Sequence, residues 1–136
     1  MEEAEIAAYE NEVPVGAVLL IGDRVYRGHN RVIRDHDPTA HAEVVVIREA
    51  AKEVGNYRLT GSRLYVTLEP CIMCVGAIVQ ARIGRLVYGA RDPRYGAIES
   101  MLKFCDLHIN HKLDICSGSM EERSSALLKD FFQARR

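Results

Sequence analysis

The chain has 136 residues, 48% hydrophobic and 27% charged, with a formal net charge of −1. That is the size and composition of one ordinary soluble domain, able to bury a core without disulfide staples and too apolar for a disordered chain. No apolar run approaches the roughly 20 residues of a membrane-spanning helix, and the acidic start MEEAEIAAYENE lacks the basic-then-apolar pattern of a signal peptide.

The expected setting is therefore the cytoplasm, where thiols stay reduced, which argues against a disulfide framework for the four cysteines. Residues 1–60 carry 7 Lys/Arg against 11 Asp/Glu, and residues 61–136 carry 11 against 8. The basic second half permits a polyanionic partner without requiring one.

In chain order, VPVGAVLLI at 13–21 reads as a strand ending at a Gly22-Asp23 hairpin turn, with RVYRGHN as its returning partner. Asp37-Pro38-Thr39 marks a helix start, with Thr39 as the capping hydroxyl. An Ala-rich helix over 40–54 then stops at Gly55-Asn56. RLYVTL at 63–68 is a third strand, CIMCVGAIVQA at 71–81 a buried helix, RLVYGA at 85–90 a fourth strand and KLDICS at 112–117 a short fifth. MEERSSALLKDFFQARR closes the chain as an amphipathic helix. There is no internal repeat and no Pro/Gly/Ser linker, so residues 1–136 read as a single domain. Strands alternating with helices need crossover connections, and the opening hairpin adds an antiparallel pair. The result is an α/β domain with a mixed sheet.

The chemistry gathers in two places. TAHAEV puts His41 and Glu43 at the head of the first long helix, and TLEPCIMC puts Cys71 and Cys74 at the head of the next. Residues i and i+3 lie on one helix face, and a helix N-terminus favours the thiolate that a metal binds. His41, Cys71 and Cys74 would give Zn²⁺ three ligands and leave its fourth position open, the pattern of a catalytic site. Zinc brings the pKa of a bound water to roughly 7, and Glu43 would carry that water's proton to the substrate. On a helix, residues 41 and 43 point roughly 200° apart. They can share a site only if the helix aims its N-terminus at it, as Thr39 in the cap would arrange.

Other readings of the same residues stay open at this point. Cys-x-x-Cys alone also describes a redox couple or half of a structural zinc site. Cys105 and Cys116 read as small buried hydrophobes, Glu69 as a brace for its loop, and His29 as a structural residue on an alternating strand. FFQARR reads as a packed aromatic pair with a solvated basic tail, whose Arg135 and Arg136 could reach RNA phosphates.

The pattern AHAE followed by EPCIMC resembles the zinc-dependent cytidine and deoxycytidylate deaminase superfamily. EVPVGAVLL, HNR, DPTAHAE, LYVTLEPCIMC, GARDP, INH and LLKDFF together resemble its bacterial tRNA-specific adenosine deaminase branch over nearly the whole chain. The resemblance implies a three-layer α/β/α sandwich with a mixed five-stranded sheet, and one zinc per subunit on His41, Cys71 and Cys74. It implies a proton shuttle at Glu43 and substrate contacts at Asn30, Ala42, Arg91 and Asp92. It further implies a homodimer that converts adenosine to inosine at the wobble position of a tRNA anticodon stem-loop, while the lack of a long apolar run leads us to expect no membrane partner. Only about a dozen residues precede VPVGA, so the first helix is expected to be short or lacking its beginning. The rival readings are a deaminase of a free base or nucleotide (cytosine, cytidine or guanine) and a non-catalytic, zinc-stabilised RNA-binding subunit.

Overall fold

A computed structural model of the protein describes residues 1–135. Arg136, named above as a residue that could reach RNA phosphate, lies outside the described residues. The elements run α1 (Glu2–Tyr9), β1 (Gly16–Ile21), β2 (Arg24–His29), α2 (Ala42–Val54), β3 (Arg63–Leu68), α3 (Ile72–Gln80) and β4 (Arg85–Ala90). A short 3₁₀ turn (Phe104–Asp106), β5 (Asp114–Cys116) and α4 (Glu121–Gln133) complete them. Third and fourth strands have the expected bounds, and Gly22-Asp23 closes the hairpin with Ile21 opposite Arg24.

The five strands form one sheet in the order β2-β1-β3-β4-β5. β1 is antiparallel to both β2 and β3, while β3, β4 and β5 run parallel. β2, β3, β4 and β5 therefore share one direction, and their C-terminal ends lie at one edge of the sheet. The helices make the outer layers of the expected three-layer sandwich. α2 packs on β1 and β2 and touches α3, and the core between them and the sheet holds Leu19, Leu64, Ile78 and Leu86. Burying each such side chain contributes about 1.5–3 kcal/mol. On the opposite face α1 lies on β1 and β2, and α4 on β3 and β4.

α1 is anchored by charge as well as packing. His29 Nδ1 lies 2.7 Å from a Glu3 carboxylate oxygen and Nε2 lies 2.9 Å from one of Glu10, so its ring nitrogens face α1 and the residue that caps its C-terminus. His29 is thus structural, as its place on the strand implies. α4 is anchored by the Ser124 hydroxyl, which donates to the Thr67 carbonyl, and by Phe131, which is buried. Phe131 and Phe132 pack edge to face at 5.4 Å. The tail matches expectation: the aromatic pair packs together and Arg135 is exposed, its guanidinium sitting 3.4 Å over the Phe131 ring and donating to Asn11 Oδ1 at 3.0 Å. Cys105 and Cys116 depart from expectation, since both are exposed. They lie in and beyond the irregular 91–113 stretch, where few elements are available to cover them.

Candidate active site

Helices that follow parallel strands start where those strands end, so the sheet edge collects helix N-termini and the loops leading to them. Here that edge carries Asn30 after β2, His41 before α2, Cys71 before α3, and Arg91 and Asp92 after β4.

Both helix starts differ in detail from the sequence reading. α2 begins at Ala42, and His41 is its extended N-cap residue at φ −70°, ψ 154°. The 200° objection therefore falls away, because His41 lies outside the helix. Thr39 is not the cap. Its N–H and hydroxyl both donate to Asp37 Oδ1, at 2.9 and 2.7 Å, in a turn that Pro38 favours. The donor at the head of α2 is satisfied from another strand, by Asn30 Oδ1 accepting the Ala42 N–H at 2.8 Å. At its far end Gly55, at φ 77°, terminates the helix in the left-handed conformation, as Gly55-Asn56 predicted. α3 begins at Ile72 with Cys71 as its extended N-cap residue, so Cys71 is also off the helix, and Cys74 sits in the first turn.

The two N-termini meet. His41 Nδ1 lies 3.6 Å from Cys71 Sγ and 3.5 Å from Cys74 Sγ, and the three donor atoms all fall within 4.8 Å of one another. Zinc bonds of about 2.3 Å to sulfur and 2.0 Å to nitrogen, opened to a tetrahedral angle, separate N from S by roughly 3.5 Å. The three side chains thus stand at the spacing a zinc ion requires. Their proton chemistry agrees. A hydrogen bond from the Cys74 thiol, with the His41 imidazole adding to it, pulls the Cys71 thiol down to about 4. The same contact and burial push the Cys74 thiol up. The pair shares one proton where a divalent cation would displace it.

Glu43 lies in the first turn of α2 and is only 4% exposed. Burial raises its pKa above the ordinary carboxylate range. It shares with His41 and Cys71 the floor of a cleft of about 1260 Å³. Asn30, Arg91 and Asp92 line that cleft as well. Ala42 does not: it is 0% exposed, and its N–H is committed to Asn30. Because Asn30 spends its carbonyl oxygen on that bond, the two N–H donors of its amide are what it can offer a ligand.

The first 90 residues match the model of the cytidine and deoxycytidylate deaminase zinc-binding region. The chain belongs to this deaminase family. It is 50% identical to the tRNA-specific adenosine deaminase of Haemophilus influenzae, in an alignment covering 100% of this chain and 80% of that one. It is 48% identical to the tRNA-specific adenosine deaminase of Agrobacterium fabrum, covering 98% and 90%. Among solved structures, one from work on A-to-I editing by tRNA:A34 deaminases at the wobble position of transfer RNA superimposes with a TM-score of 0.89 at 48% identity, covering 93% of each chain.

In this deaminase the loop after β4 is more committed than its sequence conveyed. Asp92 Oδ1 accepts the N–H groups of Arg94 (3.0 Å) and Tyr95 (3.3 Å), leaving Oδ2 for a ligand. Arg91 Nε donates to Glu99 at 2.7 Å across the surface. Glu69 braces this loop as expected. Burial opposes its charge, yet the N–H of Glu99, the Ser100 hydroxyl and further amides hold its carboxyl below the usual range.

Sequence reasoning named Arg135 but missed the rest of the wall opposite the loop. Ser125, Leu128 and Phe132 of α4 and Arg135 just beyond it line the cleft, as do Ile33 and Tyr95. Leu128, Phe131 and Phe132 recur at helical spacing, so an apolar stripe was legible. Which of its sides faced a cleft rather than the sheet was not.

Proposed function

We propose that this chain deaminates adenosine hydrolytically at the wobble position of a tRNA anticodon, leaving inosine. One observation carries the reading: a His/Cys/Cys group spaced for zinc stands beside a buried carboxylate, on the floor of a cleft that exceeds the roughly 300–1,000 Å³ of a small-molecule pocket. The excess volume fits a base that arrives with its chain attached.

In this reading His41, Cys71 and Cys74 hold one zinc ion per subunit, which supplies the Lewis acid that lets water lose a proton near neutral pH. Glu43 would take that proton and deliver it to the ring nitrogen beside C6 as the water oxygen bonds to C6. It would then take the proton of the new C6 hydroxyl and hand it to the amino group, which leaves as ammonia when the C6–N bond breaks. Its raised pKa brings it closer to the working pH, as a group that must both accept and donate requires. The Asn30 amide donates to the base and fixes its orientation. Arg91 and Asp92 meet the flanking nucleotides. Exposed Tyr95 and Phe132 offer flat faces on which unstacked bases can lie. A single-stranded loop gives up its target base cheaply, which favours a stem-loop over a duplex.

The chain acts in this proposal as a single domain over residues 1–136, in the cytoplasm and as a homodimer. Support for the dimer comes from α3, whose outer face exposes Ile72 and Gly76. No helix among the described residues is long and apolar enough to cross a membrane.

The test is to supply an anticodon stem-loop, free adenosine, cytidine and guanine in parallel and to assay each for ammonia, with inosine read out in the RNA. Deamination of the stem-loop is expected. Activity confined to a free base overturns the reading, and substantial turnover by Glu43→Ala overturns the role of Glu43.

A further inference from the structure

Glu69 takes no part in that chemistry, yet it is 2% exposed and accepts five hydrogen bonds. Its Oε1 accepts the Asp92 N–H at 3.1 Å and the Ser100 hydroxyl. Its Oε2 accepts the N–H groups of Ile98 (3.0 Å), Glu99 (2.9 Å) and Ser100 (3.1 Å). An ionised carboxylate is an acceptor on both oxygens, with about four lone-pair sites, so no other side chain of this size can gather so many donors.

The same segment is fastened beside Glu69 through the backbone. The Glu69 N–H donates to Ala90 at 2.8 Å, the Ala97 N–H donates to Pro70 at 2.8 Å, and Cys71 forms an antiparallel bridge with Gly96. Gly96 is buried, and a Cβ built on it would overlap the Glu69 carboxylate. Glycine is needed there for space. Glu99 then joins this interior anchor to the surface, since its N–H bonds Glu69 while its carboxylate receives Arg91 Nε at 2.7 Å.

We propose that Glu69 is a positioning residue for residues 91–100. Through five bonds to that segment, it sets where Arg91 and Asp92 stand relative to Cys71, two residues further along its own strand-to-helix turn. The proposal rests on the deaminase reading above and adds a division of labour to it: Glu69 governs the binding of RNA beside the target base and leaves the proton transfers to Glu43. A group that touches only the binding loop changes substrate and transition-state affinity alike, so its loss raises KM and spares kcat.

The experiment uses the metal-loaded protein and four variants: Glu69→Gln, Gly96→Ala, Glu69→Ala and the double variant Glu69→Ala/Gly96→Ala. In Glu69→Gln an NH₂ replaces one oxygen and confronts at least two N–H or O–H donors. Expected are faster amide exchange at residues 92 and 98–100, an unchanged metal content, and a KM for the anticodon stem-loop raised about tenfold to a hundredfold with kcat nearly intact. Gly96→Ala, which attacks the same contact from the other side, is expected to give the same pattern. In the double variant the collision vanishes with the carboxylate, so it should be no worse than Glu69→Ala. An unchanged KM, a fall in kcat alone, or simple addition of the two single effects overturns the proposal. Should Glu69→Gln fail to fold, Gly96→Ala and the double variant decide by the same readouts. A wild-type protein that leaves the stem-loop unmodified defeats the deaminase reading instead, and amide exchange with stem-loop binding then decides the role of Glu69.

Discussion

The Asn30 side-chain oxygen accepts the Ala42 N–H at 2.8 Å, so the residue that leaves β2 closes the first turn of α2. One side chain thereby caps the helix that presents His41 and Glu43 and also lines the cleft. The two duties separate by mutation. Asn30→Ala loses the cap and is expected to destabilise the protein by about 1 kcal/mol. Asn30→Asp keeps an acceptor at the helix start and is expected to be less destabilised. Both should lose about 10²-fold in kcat/KM, the effect of removing one donor from a water-poor site. Thermal melts and steady-state kinetics on the stem-loop check this, and an Asn30→Asp variant with full activity contradicts it.

Metal retention follows from the spacing of His41, Cys71 and Cys74. Cys71→Ser is expected to fall well below one zinc per chain by metal analysis. Added zinc should stabilise the metal-stripped wild type and so raise its Tm, the stabilisation growing with zinc concentration to about 2.7 kcal/mol at a hundredfold excess over Kd. The variant's Tm should respond far less. Full occupancy in Cys71→Ser would remove it from the ligand set.

Among the described residues Asp92 keeps one acceptor, Oδ2, without a partner, because Oδ1 is held by the amides of Arg94 and Tyr95. Asp92→Asn keeps that turn and replaces an oxygen with a donor, so the loop should stay ordered. The ratio of kcat/KM for ribose over 2′-deoxyribose next to the target base is expected to change. Kinetics on the two stem-loops measure it, and an unchanged ratio removes Asp92 from sugar recognition.

A Cβ at Gly76 would meet no atom within 4 Å. Gly76→Ala should therefore be tolerated and gain about 0.5–1 kcal/mol of helix stability. Gly76→Glu should fold equally well but place a charge on the proposed subunit contact. Sedimentation is expected to give a dimer for wild type and a monomer for Gly76→Glu. A dimer in both would place the contact elsewhere.

The clasp between His29 and α1 should be pH-dependent on the acid side. The His29 hydrogen bond, working against burial and aided by His29, Arg34 and Arg31 charge, holds the Glu10 carboxyl below its ordinary value. A carboxylate lowered in the folded state contributes its stability above the unfolded pKa of about 4.3 and loses it as pH falls through the lower folded value. The Tm advantage of wild type over Glu10→Gln should thus be full near neutrality and shrink below about pH 4.3. A gap that stays constant across that range would mean that charge plays no part in the clasp.

Much of this protein was legible because the signals are local. Alternation and turn chemistry placed β1 to β4, and Gly55 stopped α2 because only a left-handed residue ends a helix that way. The His-x-Glu and Pro-Cys-x-x-Cys spacings pointed to the side chains that the fold brings together, since few other roles combine an imidazole, two thiols and an unliganded acid. What the sequence could not decide depends on contacts between distant segments. Thr39 has the right chemistry for a cap, but Asp37 took its hydroxyl and Asn30, twelve residues before Ala42, took the helix donor. Cys105 and Cys116 look like core residues by type and are exposed because no element covers them. The wall built by Leu128, Phe132 and Arg135, and the bonds from Glu69 to residues 92–100, exist only once the sheet order brings β3, β4 and α4 together. Residue types and spacing determined the available chemistry; tertiary packing decided which donor meets which acceptor, because a hydrogen bond forms only between groups brought within about 3 Å.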